Sequence, residues 1–360
     1  MATGVLSYRG SAMFRMRLVT ATLTGKSVLI EDIRVDEQEI GLRDYEAGLL
    51  RLLEKVSNGC RVEINETGTS VLYTPGVLTG GKFSHDCALS RGIGYYAEAL
   101  FVLGPFCKKP ISAVLRGVTN ESLDTSVDVL RMVVVPVLRT FGLEADAFVL
   151  KINKRGAPPG GGGEIKLTIP TAKALSPVLK VAGGEIRRIR GVAYTTRLSP
   201  LFASRMVDAA KSVLVDYMAD VFIYTDHYKG SGGGASPGFA ISLVAESETG
   251  ALLPAELTAS KGDMPEAIGE AAALLLLEEV ARGGAIATVM QPLVLMYMAF
   301  SSEDVSAVRF GTLSKYAISV LRLIRDFVGV VFKIEADRTT ETVLLSCMGS
   351  GHANTARVVQ

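Results

Sequence analysis

The sequence predicts an α+β protein of repeated modules, with a smaller α+β domain inserted in the last of them. Three observations carry this. First, strand-like residues 147–152 pass through Gly156-Ala157-Pro158-Pro159-Gly160-Gly161-Gly162-Gly163 into a second strand-like run, 164–169. An echo stands upstream, where residues 71–74 run into Pro75-Gly76-Val77-Leu78-Thr79-Gly80-Gly81. Second, the order strand, helix, strand, helix, strand, strand recurs around these turns. Third, the composition changes after Ser176-Pro177, and a self-contained unit intervenes before the pattern resumes.

The elements follow in order. Residues 18–23 run into Thr24-Gly25-Lys26, a helix ending on a glycine that can take the left-handed C-terminal position. Residues 28–33 form a strand. Leu42, Tyr45, Leu49, Leu52, Leu53 and Val56 recur at helical spacing and stop at Asn58-Gly59. Strands 61–65 and 70–74 are joined by Glu66-Thr67-Gly68-Thr69. The second module reads as a helix over 89–103, a strand over 112–115, and a helix over 126–141 kinked at Pro136. Its last two strands flank the glycine turn. Prolines fix φ and serial glycines open positive φ, so this turn is either a hairpin link or a place where bare backbone meets a ligand.

The intervening unit begins with a strand over 187–194, then a helix over 200–218, a strand over 221–224, a loop over 229–238 and a strand over 239–246. It ends near residue 260. A long helix over 266–282, a helix over 314–327 and strands 330–335 and 342–347 complete the third module. The expected organisation is a large domain of residues 1–184 and 261–360, with residues 185–260 inserted.

Composition narrows the class. Hydrophobic residues make up 48% and charged residues 21%, which suits an ordered globular chain. A formal net charge of +1 gives no global field toward nucleic acid or membrane, so any RNA contact must be a local patch. Cys60, Cys87, Cys107 and Cys347 show no metal or redox spacing and read as reduced thiols. The first residues lack the blocks of a signal peptide, and the longest apolar run, 271–277, is too short to span a bilayer. A soluble intracellular protein is expected.

Most small motifs dissolve on inspection. Gly25-Lys26-Ser27 lacks the glycine a phosphate loop needs five residues earlier, where Thr20 stands. Gly92-Ile93-Gly94-Tyr95-Tyr96-Ala97 lacks a leading strand and reads as close helix packing. His85 and Cys87 have no second ligand pair, and His227 and His352 are isolated. The arginines remain. Arg9, Arg15 and Arg17 cluster near the start, Arg34 ends the second strand and Arg43 opens the next helix. If the fold gathers them, they make a pocket for phosphate or another anion. Arg187, Arg188, Arg190 and Arg197 form a second set, with Arg188 and Arg190 on one strand face. Arg322 and Arg325 lie one turn apart on the last helix.

An ordered series of blocks then becomes specific: Phe14-Arg15-Met16-Arg17-Leu18, Ile33-Arg34, Gly41-Leu42-Arg43-Asp44-Tyr45-Glu46, Glu63-Ile64-Asn65-Glu66-Thr67-Gly68-Thr69, Gly117-Val118-Thr119-Asn120, Arg155-Gly156-Ala157-Pro158-Pro159, Arg188-Ile189-Arg190-Gly191, Ser236-Pro237-Gly238-Phe239 and Leu276-Leu277-Glu278-Glu279. From Tyr8 to about Lys333 the chain resembles the RNA 3′-terminal phosphate cyclase family, and within it the eukaryotic cyclase-like branch of ribosome biogenesis. The resemblance implies three βαβαββ modules with the small domain inserted in the third.

It also implies a loss of chemistry. Cyclases attack ATP with a histidine in a His-x-x-Asp-Gln stretch; alignment through Gln291 puts Ala287 at that histidine and Met290 at the aspartate. Alanine offers no nucleophile. The acidic loop of cyclases is replaced by Arg9-Gly10-Ser11-Ala12-Met13, and Asp44-Tyr45-Glu46 replaces a Gln-His-Leu-like run, while Arg15, Arg34 and Arg43 are kept. The expectation is a non-cyclising scaffold or processing factor for early pre-rRNA cleavages toward 18S rRNA. The branch implies a ribosome-assembly GTPase partner, pre-rRNA in the small-subunit processome, and a nucleolar place in the nucleus. Arg9, Arg15, Arg17, Arg34, Arg43 and Gln291 are the anion or RNA candidates. The alternative is a pre-rRNA endoribonuclease using Arg322, Arg325 and Asp326; an active cyclase with a displaced histidine ranks last. No metal or cofactor is expected.

Overall fold

The structure, a computed structural model, describes residues 4–357. Its first module has strands Leu6–Arg9, Val28–Glu31, Arg61–Ile64 and Val71–Thr74, with helices Phe14–Thr24 and Asp44–Val56 between them. The strands lie in the spatial order first, second, fourth, third. The first two are parallel because a helix crosses over between them, and the last two are an antiparallel hairpin. Gly25, at φ 68°, ends the first helix as expected from Thr24-Gly25-Lys26.

The second and third modules repeat that order. Strands Gly80–Asp86, Lys109–Gly117, Val149–Lys154 and Gly163–Ile169 form one sheet. Strands Leu179–Lys180, Val305–Phe310, Lys333–Asp337 and Thr342–Met348 form the other. The expected helix over 126–141 is divided. Val127–Val129 leads into a π-helical stretch, Leu130–Val134, before Val135–Arg139. Pro136 has no N–H to offer the carbonyl one turn back, and the widened turn accommodates that gap.

The helices sort by burial. Ile93–Leu103 and Gln291–Ala299 are apolar almost all round because they sit centrally; Tyr297 donates from its hydroxyl to the Phe101 carbonyl at 2.7 Å. Asp44–Val56 and Lys315–Val328 are amphipathic and bury one face. A single apolar cluster runs through all three modules, from Leu18 and Leu52 through Phe101 and Leu115 to Phe310 and Ile324.

The insert carries its own core. Strands Ile186–Thr196, Val221–Tyr228, Gly238–Ser247 and Leu252–Thr258 form a sheet, and helices Leu201–Leu214 and Pro265–Ala281 cover one face. Ile189, Ala193, Met206, Leu243, Ala272 and Leu276 pack together there. A Cβ on Gly269 would lie 2.3 Å from the Met206 carbonyl oxygen, so glycine lets these two helices approach closely. The helix that sequence periodicity assigned to the large domain, beyond residue 260, therefore packs in the insert's core.

The glycine turn joins the two units. Gly161 and Gly162 take φ 60° and 80°. The Arg155 N–H donates to the Gly232 carbonyl (3.1 Å), the Ala235 N–H to Gly161 (2.9 Å), and the Gly160 N–H to the Ser236 hydroxyl (2.9 Å). A Cβ on Gly234 would fall 2.0 Å from the Gly161 oxygen. The bare backbone meets the insert's own glycine loop here. Beneath the turn, the fully buried Arg155 grips Asp128 of the large domain and lies 4.4 Å over the Tyr194 ring of the insert.

Candidate functional site

Four helix N-termini open onto one cleft between the modules: Phe14–Thr24, Asp44–Val56, Ile93–Leu103 and Lys315–Val328. Its lining includes Ser11, Met13, Arg15, Arg34, Tyr45, Glu46, Arg91, Tyr95 and Tyr316. An adjoining cleft shares Arg15, Arg91 and Tyr316 and extends to Glu98, Asp124, Thr288, Val289 and Ser314. The parallel crossover in each module aims its helices the same way, so their N–H-bearing, partially positive ends gather at one place. Such ends favour anions.

Carboxylates of the protein already answer that charge. Arg34 forms a bidentate pair with Glu46, at 2.7 and 2.8 Å, and also donates to the Gly41 carbonyl and the Tyr45 hydroxyl, each at 3.1 Å. Glu46 also accepts from the Arg43 backbone N–H at 2.9 Å, tying down the start of its own helix. Arg91 holds Asp124 at 2.7 and 2.5 Å, and Asp124 also accepts from the Gly92 N–H at 3.2 Å. Arg15 pairs with the largely buried Glu98, donates to the Tyr95 carbonyl at 3.1 Å, and lies 4.7 Å over the Tyr95 ring. Burial opposes the charge on Arg15, but Glu98, with smaller help from Tyr316, Tyr95 and Asp124, raises its pKa overall. Burial raises the Glu98 carboxyl in turn, against the pull of Arg15. The cleft is therefore charge-balanced, and an incoming anion must exchange with a carboxylate already in place.

The predicted residues divide. Arg15 and Arg34 meet in the cleft. Arg9 is exposed, with Asp32 3.6 Å away. Arg17 folds back, donating to the Gly10 carbonyl at 2.7 Å and covering the Tyr8 ring at 4.6 Å. Arg43 lies at the surface between Glu37 and Glu39. These three are missing from both clefts' linings because nearer carbonyls, an aromatic ring or surface carboxylates hold them. Gln291 is fully buried; its Nε2 donates to the Thr312 carbonyl (3.0 Å) and its Oε1 accepts from the Ser314 N–H (2.9 Å). It positions the start of the last helix rather than facing a ligand.

Ala287 is 1% exposed and packs with the insert's apolar cluster, while Thr288 and Val289 next to it reach the cleft. Met290 is buried. Arg322, Arg325 and Asp326 stand exposed on the last helix, and Arg325 reaches only its neighbour Asp326, at 3.3 Å. The histidines are scattered. His85 is buried, which depresses its pKa to about 4; His227 Nδ1 meets the Thr195 hydroxyl at 2.7 Å; His352 packs edge-on to Phe106 and Phe300. Among the described residues no group of three His, Cys, Asp or Glu side chains is placed to hold a metal.

Sequence reasoning missed Arg91, Tyr95, Glu98, Asp124 and Tyr316. The repeat held a signal for one of them: Ser90-Arg91-Gly92 precedes the second module's first helix much as Arg9-Gly10-Ser11 precedes that of the first. The others needed the fold.

Residues 6–334 match the family described as RNA 3′-terminal phosphate cyclase. The chain is 48% identical to the RNA 3′-terminal phosphate cyclase-like protein of Mus musculus, covering 99% of this chain and 98% of that one. Identity to the probable RNA 3′-terminal phosphate cyclase-like protein of Dictyostelium discoideum is 45%, over 98% and 99%. The rRNA processing protein rcl1 of Schizosaccharomyces pombe is 40% identical over the whole of both chains.

Proposed function

The chain belongs to the RNA 3′-terminal phosphate cyclase family, and from that premise we propose that it is a non-cyclising member serving rRNA processing. In this reading it binds pre-rRNA and a ribosome-assembly GTPase in the nucleolus. There it supports the early cleavages toward 18S rRNA within the small-subunit processome. The observation that carries the loss of cyclase chemistry is Ala287, which stands where the resemblance puts the attacking histidine and is closed into apolar packing. A cyclase needs a nucleophile there to take the adenylyl group, and a methyl group cannot serve. The internal pairing of Arg15, Arg34 and Arg91 with carboxylates supports the same reading, since a triphosphate would have to displace them. The name of the S. pombe relative supports the rRNA role. An endoribonuclease gains no support from Arg322, Arg325 and Asp326, which have no histidine beside them to act as general base.

Two assays test this. Purified protein incubated with labelled ATP and a 3′-phosphate-terminated RNA is expected to give neither an acid-labile adenylyl adduct nor a cyclic phosphate end. Either product would overturn the non-cyclase reading. Affinity purification with RNA crosslinking from its own cells is expected to recover a GTPase and pre-rRNA; absence of both would remove the processing role.

A further inference from the structure

One face of the insert's sheet is packed under helices Leu201–Leu214 and Pro265–Ala281; the other meets the large domain through Ser242, Val244 and Glu256 and leaves its edge strand open. Along strand Ile186–Thr196, side chains alternate, so Ile189 and Ala193 face the helices while Arg188, Arg190, Val192 and Tyr194 face the opposite way. In the parallel edge strand, Phe222 lies opposite Arg190, Tyr224 opposite Val192, and Asp226 opposite Tyr194. At the Tyr194 end this face is closed by Arg155 of the large domain. Farther along, Val244, opposite Arg190, is 4% exposed and packs with the large domain's core, so the open part of this face is its edge strand. Phe222 is 49% exposed and Tyr224 59%, and their rings meet edge to face with centroids 4.6 Å apart.

We propose that this open edge, Phe222 and Tyr224 with Arg188 and Arg190, is a binding surface for single-stranded RNA. It rests on the pre-rRNA reading above and gives that RNA a place. The edge-to-face contact leaves the outer face of the pair free, an aromatic platform on which an unpaired base can stack. Aromatic rings on an open sheet stack on unpaired bases of any sequence, and flanking guanidinium groups answer the phosphates.

Charge favours a nucleic acid over a protein. Arg187, Arg188 and Arg190 face only two carboxylates: Glu246 holds the first two, and Asp220 holds Arg190 at 2.8 and 2.9 Å. The Arg190–Asp220 pair lies at the surface, so exchange for phosphate there is inexpensive. The rings are bordered by arginine rather than by a contiguous apolar patch, which a stable protein interface would need at its centre.

The test uses full-length protein and a fluorescein-labelled oligouridylate, read by anisotropy at several salt concentrations. Phe222→Ala with Tyr224→Ala is expected to weaken binding by about tenfold or more, and Tyr224→Phe to leave it near wild type. Arg190→Glu is expected to weaken binding and flatten its salt dependence. All these positions are at the surface, so circular dichroism melting should stay unchanged and an affinity loss is not a folding defect. Wild-type affinity in the double alanine variant overturns the site. So does retained RNA affinity with loss of a co-purifying GTPase, which would make the face a protein contact. Crosslinking of wild-type protein to pre-rRNA in cells separates the two levels. If it persists in the double variant, the site falls and the processing reading stands. If wild type neither crosslinks nor binds the probe, the processing reading falls and takes the site with it.

Discussion

Arg155 and Asp128 are paired through two hydrogen bonds, at 2.5 and 2.7 Å, with both side chains essentially removed from water. Asn120 donates to the same carboxylate at 3.1 Å, and Asp226 of the insert stands 3.5 Å from the guanidinium. The pair thus lies on the seam between large domain and insert. Removing one partner strands a buried charge, whereas removing both strands none. Asp128→Ala is expected to cost about 3–5 kcal/mol, and the double change Asp128→Leu with Arg155→Met to cost clearly less. The check is urea denaturation followed by circular dichroism, since the chain has no tryptophan. Equal losses in the single and double variants would show that the charges are not coupled.

The same seam should make stability depend on pH. Glu256 of the insert accepts from the Ser126 N–H at 3.0 Å and lies near the Ser242 hydroxyl, at 3.4 Å, with Asp128 behind Ser126. Burial, helped by the charge of Asp128 and opposed by the bonds from Ser126 and Ser242, lifts its pKa from 4.5 to about 7. The folded state therefore holds this proton more tightly than the unfolded chain. Its contribution is complete below about pH 4.5, declines as pH rises, and is gone above about pH 7. The expected loss across that window is on the order of 3 kcal/mol. Asp128, whose pKa is lowered by Arg155 despite burial, acts the opposite way but only in more acid solution. Glu256→Gln should flatten the profile between about pH 5 and 7; an unchanged slope would assign the dependence elsewhere.

Much of this architecture was legible because it is periodic. Leu49, Leu52, Leu53 and Val56 face one way in any amphipathic helix, and the glycine turn marks a hairpin whatever surrounds it. The helix Pro265–Ala281 was assigned to the wrong unit because Ala272, Ala273 and Leu276 announce burial without naming a partner. Charge was harder still. Arg17 and Arg34 look alike in sequence, yet one closes on the Gly10 carbonyl and the other on Glu46, and only strand ends brought together in space decide that. The aromatic pair Phe222 and Tyr224 passed unnoticed because strand alternation alone cannot tell an uncovered face from a covered one.

The balance of charge in the cleft can be tilted. Glu46 neutralises Arg34 and caps its own helix, so Glu46→Gln should destabilise the protein by about 2 kcal/mol. It should also free the guanidinium for an outside anion. Inorganic pyrophosphate, titrated calorimetrically, is expected to bind the variant several-fold more tightly than wild type. Weaker stability with no gain in affinity would mean that the cleft does not select anions.

A histidine placed at position 287 should not confer cyclase chemistry. Ala287 sits in apolar packing at 1% exposure, and Met290 beyond it is buried, so Ala287→His forces a larger polar ring into filled space. Overpacking of this kind costs about 1–3 kcal/mol. In the neighbouring cleft Arg15 and Arg91 are already bound to Glu98 and Asp124, leaving no free guanidinium pair to seat a triphosphate. A lower denaturation midpoint with no adenylyl adduct from labelled ATP is the expected result. Should an adduct form, the cleft would have kept its nucleotide geometry, and the proposed non-cyclase reading would rest on one side chain.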